Sequence, residues 1–415
     1  MIKLRPYQEE ISAKAVDILK SKKIVYLAME VRLGKTLTAL SIAERYGAKN
    51  VLFLTKKKAV ESGTIQNDYN LLAPSYSITI TNNESLHKVT GTFDLLISDE
   101  HHRNGSYPKP NITTKEIKKR YAHLPMIFLS GTPCIESASQ LYHQFWISNY
   151  SPFSEYKTFY KWVVRFVKEK YKYLYGKQIR DYSDAKTEDI MQVLNKYFFY
   201  YTQEQAYFNT KIKENVINYQ ETPLITKLKE QLLQNGIIQS KTDNVLADTP
   251  AGLMTKLHQI ESGTVITESG ASYIIDKSKA FFVRDYFEGK KIAIFYYYQK
   301  ELELLKEVFG ETLTTDLTEF KTTKKSFCIQ QKTGSEAISL KEADALVYYN
   351  FGFSGKDFVQ GRDRMTTKER AENNVYIILC KGGFNEKLYK VVSQKKRYNE
   401  AIFNKDYDRR TKTTK

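Results

Sequence analysis

Two short runs in this sequence bring reactive side chains together: Leu33-Gly34-Lys35-Thr36 and Asp99-Glu100-His101-His102. The first follows a candidate strand, Ile24–Ala28, and opens a candidate helix, Thr36–Arg45. A strand-to-helix turn aims backbone N–H groups outward, and the helix dipole favours negative charge there, so phosphate is the natural ligand. Lys35 can reach β and γ phosphates, and the Thr36 hydroxyl can ligate Mg²⁺. The full pattern G-x-x-x-x-G-K-[ST] is not met. Met29 stands at the first glycine, and Arg32, read as pointing to solvent, is a large cation inside the loop. Such a run can also be an ordinary helix start; the strand before it and the carboxylates downstream favour the phosphate loop.

The stretch Asp94–Ser98 reads as a buried strand ending in Asp99 and Glu100. Both acids then sit at a strand's carboxyl end, where open α/β sheets bind ligands. Asp99 would hold Mg²⁺, while Glu100 would orient and deprotonate the water that attacks a γ-phosphate. A metal-bound carboxylate is too poor a base to do both. His101 and His102 raise the idea of a metal site, but no further Cys or His lies at ligand spacing.

These residues need a scaffold, and 415 residues at roughly 150 per domain allow two to three domains. Hydrophobic residues at 41% exclude a wholly disordered chain. The longest apolar runs fall short of the roughly 18 residues of a membrane span. Residues 1–20 alternate charged and apolar groups, unlike a signal peptide. Cys134, Cys328 and Cys380 lie too far apart for a disulfide framework or zinc cluster, so a reducing cytoplasm is expected. The net charge of +17 points to a polyanion, nucleic acid before membrane.

Short apolar runs alternate with amphipathic ones at Val51–Thr55, Tyr76–Ile80 and Met126–Ser130, and again at Lys291–Tyr296, Ser326–Gln330, Ala345–Tyr349 and Val375–Leu379. That rhythm predicts an α/β fold with two parallel-sheet lobes, at 1–150 and 276–405. Between them, 151–275 reads as a helical, basic, Tyr-rich insert; Thr222 would cap a helix over Leu224–Asn235 that Gly236 closes. Residues 406–415 read as a frayed basic tail.

In this order the runs resemble a family, the Swi/Snf-like branch of the superfamily-two helicases and translocases, in the compact form carried by bacteriophages. Leu4-Arg5-Pro6-Tyr7-Gln8 resembles the adenine-sensing motif, Glu30–Thr36 motif I, Val51–Thr55 motif Ia, and Asp99–His102 motif II, with D-E-H-H where many relatives have D-E-A-H. Ser130-Gly131-Thr132-Pro133 resembles motif III, Lys291–Leu302 motif IV, Thr333–Leu340 motif V, and Gln360-Gly361-Arg362-Asp363-Arg364 motif VI. The resemblance implies two RecA-like lobes with ATP and Mg²⁺ in the cleft. Arg5, Gln8, Gly34, Lys35, Thr36, Gln360 and Arg362 would hold the nucleotide, with Gln8 reading adenine. Thr36 and Asp99 would hold the metal. Lys35, Asp99, Glu100 and Arg364 would carry catalysis, and Ser130, Thr132 and Glu336 would couple the nucleotide site to nucleic acid. A second motif VI arginine is missing where Thr367 stands; Arg362 and Arg370 are the candidates to replace it.

The resemblance also implies a sequence-independent DNA track through Thr55, Lys56, Ser85, Thr333 and Gly334, on single- or double-stranded DNA, by a monomer with replication or recombination proteins as candidate partners. Separately, Lys157–Arg180 holds eight basic residues and one acid, Glu169, interleaved with Phe159, Tyr160, Trp162, Phe166, Tyr171, Tyr173 and Tyr175. Cations there could neutralise phosphates while rings stack on bases, or the rings could be core beneath a solvated basic face. Asp285, Glu288 and Lys290 loosely match a nuclease pattern but lack its strand setting. The sequence therefore carries two readings: a DNA-dependent ATPase motor, and a nucleotide-switched nucleic-acid binder with little hydrolysis, which Arg32 and Thr367 motivate.

Overall fold

Strands covered on both faces must be apolar throughout, and most of the runs read above are such strands; the run at 76–80 instead forms a half-exposed edge strand. The structure, a computed structural model, describes residues 3–134, 137–174, 177–206, 211–240, 243–334, 338–366, 372–394, 398, 402–403 and 406–407. The chain divides into two units, 1–208 and 209–415.

The first unit contains β1 (Ile24–Met29), β2 (Asn50–Thr55), β3 (Ser77–Asn82), β4 (Leu95–Ser98), β5 (Met126–Leu129), a hairpin of β6 (Lys170–Leu174) and β7 (Lys177–Asp181), and β8 (Phe198–Tyr201). Six of these form a parallel sheet in the order β3-β2-β4-β5-β1-β8. Period-two alternation splits β1 between two cores: Ile24, Tyr26 and Ala28 face one, and Val25, Leu27 and Met29 the other. On the second face lie α1 (Pro6–Lys22), through Ile11, Ala15 and Leu19, and α2 (Lys35–Tyr46), through Ala39, Leu40 and Ala43.

The second unit contains β9 (Lys211–Tyr219), the short antiparallel pairs β10 (Ile237–Ile238) with β11 (Val245–Leu246) and β12 (Thr264–Ile266) with β13 (Ser272–Ile274), then β14 (Ile292–Tyr296), β15 (Leu313–Thr314), β16 (Ser326–Gln330), β17 (Ala345–Tyr348) and β18 (Glu372–Cys380). Its parallel sheet runs β15-β16-β14-β17-β18-β9. Ala293 and Phe295 of β14 face one core, and Ile292, Ile294 and Tyr296 the other. The two expected parallel-sheet α/β lobes are present.

The stretch 151–275 does not stand apart as a helical insert. Phe153, Phe159, Trp162, Phe166, Ile190 and Phe198 complete a core of the first unit, and β8 extends its sheet beside β1, Tyr26 opposite Phe198. From 211 onward the chain belongs to the second unit: β9 pairs with β18 along its whole length, from Lys211 opposite Glu372 to Tyr219 opposite Cys380. The division therefore falls at 208, not at 150 and 275.

The Pro223–Asn235 helix is capped as expected, by the Thr222 hydroxyl at the start and by Gly236 in a left-handed turn at the end. Its core contacts are Ile225 and Leu232, while Leu224 is exposed. The tail begins later than 406. The Tyr398 hydroxyl donates to Asp406 at 2.7 Å, and Tyr407 stacks on Phe403 at 4.7 Å; residues 408–415 lie outside the described residues.

Candidate nucleotide and nucleic-acid sites

The phosphate loop follows β1 directly and ends where α2 begins. Met29 is the last residue of β1, in extended conformation, so this position does not need a glycine. Gly34 does need to be glycine. Its φ is +71°, and a Cβ there would lie 2.3 Å from Gln8 Nε2. Arg32 also takes a left-handed backbone, φ +65°, which is uncommon for a non-glycine residue. It is half-buried rather than turned to solvent.

The loop is clamped from two sides. Gln8 Nε2 donates to the carbonyls of Leu33 (3.3 Å) and Gly34 (3.2 Å), and its Oε1 accepts from the Arg5 amide at 2.9 Å. The Tyr7 hydroxyl donates to Leu33 O at 3.1 Å and accepts from Arg5 Nη1 at 3.0 Å. On the other side the Gln203 amide donates to Glu30 Oε2 at 2.7 Å, and Gln203 Nε2 to Val31 O at 3.1 Å. Tyr201 stacks on Tyr7 at 5.0 Å. Gln8, expected to read adenine, thus holds the loop with its Nε2 while its Oε1 caps its own helix at the Arg5 amide. Tyr201 and Gln203 were invisible to motif reading because they end and follow a strand, β8, that carries no motif.

Lys35 Nζ lies on the loop's own carbonyls, 2.9 Å from Met29 O and 3.0 Å from Glu30 O. Thr36 is the second residue of α2, half-buried. Across the sheet, β4 ends at Ser98, and Asp99 follows with its backbone N–H on Leu54 O at 2.8 Å. Burial raises the Asp99 pKa, and Glu100 raises it further; the Thr55 hydroxyl and the Lys35 charge act against this. The Lys35 charge thus favours the ionised Asp99 carboxylate. Glu100 sits in a left-handed turn, φ +47°, between Lys56 Nζ at 3.3 Å and His102 Nδ1 at 3.3 Å.

The two histidines do different work, and neither lies in a metal cluster. Among the described residues no three His, Cys, Asp or Glu side chains gather around one point. His101 Nε2 donates to Gln144 O (2.9 Å) and Nδ1 accepts from the Ser98 hydroxyl (2.9 Å). Its ring stacks on Phe128 at 3.6 Å. Burial pushes its pKa down to about 3, so it is a neutral core residue. His102 continues the site: its Nδ1 lies 2.8 Å from Ser130 Oγ, which accepts from the Thr132 amide at 3.1 Å. A polar chain therefore runs Glu100–His102–Ser130–Thr132, linking motif II to motif III. Sequence reading included His102 in motif II and weighed it as a metal ligand but gave it no coupling role; its place two residues after Glu100 was the available signal.

The expected nucleic-acid residues divide. Thr55 is fully buried, and its hydroxyl donates to Asp99 Oδ2 at 2.8 Å, so its side chain positions the carboxylate instead of facing a DNA backbone. Lys56 is drawn to Glu100. Ser85 is half-buried in the 83–88 turn, its amide on Asn82 Oδ1 at 2.8 Å. In the second unit Thr333 is half-buried, and Gly334 is packed so tightly that a Cβ would lie 2.4 Å from Phe295. Glu336, Thr367 and Arg370 lie outside the described residues.

Motif VI lies on the Gly355–Arg362 helix and the turn after it. Gln360 is buried at 8% exposure. Arg362, expected at the nucleotide, is ion-paired with Glu214 of β9, whose other oxygen accepts from the Tyr389 hydroxyl at 2.7 Å. Arg364 is half-buried, and its carbonyl accepts from the Leu340 amide at 2.9 Å, tying motif VI to the end of motif V. Asp285, Glu288 and Lys290 are all exposed around the turn before β14, with Arg284 on Asp285 at 2.8 Å, and form no nuclease site.

Residues 42–219 match the family model of the SNF2-related domain. The matched segment starts within α2 and contains Asp99–His102 and Ser130–Thr132. No curated protein matches the chain. Among solved structures, the chain is similar to the Sulfolobus solfataricus SWI2/SNF2 ATPase core in complex with dsDNA, at 14% identity and a TM-score of 0.43, covering 97% of this chain and 92% of that one. It is also similar to the Sulfolobus solfataricus SWI2/SNF2 ATPase core domain, at 14% identity and a TM-score of 0.43, covering 95% and 89%.

Proposed function

We propose that this protein is a DNA-dependent ATPase motor of the Swi/Snf-like branch of superfamily two. The observation that carries the reading is the convergence in the first unit: Lys35 at the start of α2, Asp99 and Glu100 at the end of β4, and a polar path in which His102 Nδ1 lies between Glu100 and Ser130, and Ser130 accepts from the Thr132 amide. The family match over 42–219 and the charge of +17 support it.

In this reading the triphosphate takes the place of the Met29 and Glu30 carbonyls around Lys35, and the N-terminus of α2 receives the phosphates. The donor set suits a hard cation. Asp99 is a carboxylate whose charge is opposed by burial and by Glu100, and Thr36 adds a hydroxyl. Mg²⁺ bound there would neutralise charge on the β and γ oxygens. Glu100, held by Lys56 and His102, orients the attacking water and takes its proton. His102 passes the state of Glu100 to Ser130 and Thr132. Arg364 of the second unit stabilises the transferring phosphoryl group; Arg362, held by Glu214, serves the lobe itself.

The ordered motifs support a bacteriophage-type member that translocates on or remodels DNA during replication, recombination or repair. The test is phosphate release by wild type and Glu100→Gln, alone and with single-stranded DNA, duplex DNA or RNA. Stimulation of wild type by DNA of about tenfold or more, with Glu100→Gln retaining ATP binding but turning over at least about 100-fold more slowly, is expected. A wild type indifferent to DNA would favour the nucleotide-switched binder.

A further inference from the structure

The basic, aromatic segment 157–180 is sorted by the fold into two populations. Phe159, Trp162 and Phe166 are buried in a core of the first unit. Tyr160 (48% exposed), Val164 (79%) and Tyr171 (54%) remain at the surface. β6 and β7 pair with each other in a two-stranded sheet of their own.

The register places Tyr171 opposite Arg180 and Lys170 opposite Asp181. Alternation then puts Tyr171, Arg180 and Tyr182 on one face of the ribbon. The Tyr182 ring meets Tyr160 edge-on at 6.1 Å, which joins this face to the Phe159–Phe166 helix. Arg180 lies beside the Tyr182 hydroxyl and Tyr171, both of which favour its charge. Its nearest acid is Glu169, 3.9 Å away, with the two side chains 57% and 36% exposed; such a pair is weak in water. Asp184 is taken by Lys170 at 2.7 Å, and Asp181 accepts from Ser183. A strip thus runs Tyr160–Tyr182–Arg180–Tyr171, in which Tyr182 is itself buried in the core and anchors the strip, while Tyr160 and Tyr171 present exposed rings to either side of the exposed Arg180 guanidinium. Lys157, Lys161 and Arg165 are exposed on and beside the helix.

We propose that Tyr160, Arg180 and Tyr171 form a stacking platform for single-stranded DNA, separate from the motif-borne track. Unpaired bases lie on the tyrosine rings, and the guanidinium takes a phosphate between them. Charge complementarity names a nucleic acid, and exposed ring faces select the unpaired form, because the bases of a duplex already stack on one another. The identification of the strand as DNA rests on the function proposed above; the platform itself can be tested without ATP.

The experiment is fluorescence anisotropy of the full chain with labelled oligothymidylate and with a blunt duplex of equal length, without nucleotide. Tyr160→Ala with Tyr171→Ala is expected to weaken oligothymidylate binding about tenfold or more while changing duplex affinity less than about twofold. Tyr160→Phe with Tyr171→Phe keeps the ring faces and should bind as wild type. Tyr171→Ala alone, at a more exposed position, should lose about fivefold and decides the matter if the double variant is unstable. The proposal is overturned if the alanine variants bind oligothymidylate as wild type does, or if both forms of DNA weaken equally. A wild type without DNA-stimulated hydrolysis would sink the motor reading and leave this binding result intact.

Discussion

The two lobes share an architecture and treat their predicted residues differently. In the first, Gln8, Gly34, Lys35, Asp99, Glu100, His102 and Ser130 are linked to one another by hydrogen bonds and charge. In the second, Arg362 is held by Glu214, and Gly334 is filled by Phe295. Predicted residues of the first lobe are thus joined within their own unit as a candidate nucleotide site, whereas Arg362 and Gly334 of the second brace their own lobe. The lesson is that a motif arginine is not defined by its neighbours in sequence. Two residues apart, Arg362 and Arg364 are placed differently: the Arg362 guanidinium pairs with Glu214 of β9, while the Arg364 carbonyl takes the Leu340 amide.

The contrast can be broken most severely at Lys35. Lys35→Ala should reduce hydrolysis by at least about 1,000-fold, with little change in the thermal midpoint, because Lys35 adds no apolar packing to either core of the first unit. Steady-state phosphate release alongside calorimetry checks both halves. Arg362→Ala should do the reverse. Removing one partner of a largely buried ion pair leaves Glu214 uncompensated, for a loss of about 2–4 kcal/mol in urea unfolding, with per-molecule turnover largely kept below the transition. Loss of turnover without loss of stability would assign Arg362 to the nucleotide after all.

Acid should sharpen the comparison through buried histidines. His258 in the second unit donates or accepts at the Tyr298 hydroxyl, 2.9 Å away. Burial, and then the nearby charge of Lys279, push its pKa down to about 3. In the unfolded chain the imidazole takes a proton near pH 6.5. Between these values the unfolded state binds more protons, so stability is full above about pH 6.5 and falls as the pH drops toward 3. At pH 5 the contribution is up to about 2 kcal/mol. His258→Gln should flatten the dependence of the second unit's urea midpoint between pH 7 and 5; an unchanged slope would contradict the assignment. The smallest effect is expected at Ser130→Ala, which cuts the path from His102 to Thr132. Basal hydrolysis should persist while stimulation by DNA falls about three- to tenfold in a phosphate-release titration.

Much of this was legible in the sequence where chemistry and backbone are specified by the same short run. The strands β1, β2, β4, β5, β14, β16, β17 and β18 announce themselves by apolar runs that burial on two faces demands. Gly34-Lys35-Thr36 and Asp99-Glu100 were found because a strand end and a helix start fix their placement locally. β8 and β9 were missed: Phe198–Tyr201 sits within a Tyr-rich stretch, and Lys211–Tyr219 alternates charged and apolar residues as a half-exposed edge strand does. Missing them hid the fact that 151–275 is shared between the lobes. Thr55 was misread for a different reason. Its hydroxyl answers to Asp99, 44 positions away in sequence, and no local pattern encodes such a partner.

The central proposal is that DNA drives hydrolysis and that Arg364 of the second unit takes part in it. Phosphate release by wild type and Arg364→Ala, each with and without DNA, tests it most directly. The expected result is stimulation of wild type by about tenfold or more, and a DNA-stimulated rate in Arg364→Ala lower by about 100- to 1,000-fold while ATP still binds. An Arg364→Ala protein that hydrolyses ATP at the wild-type, DNA-stimulated rate would contradict the account.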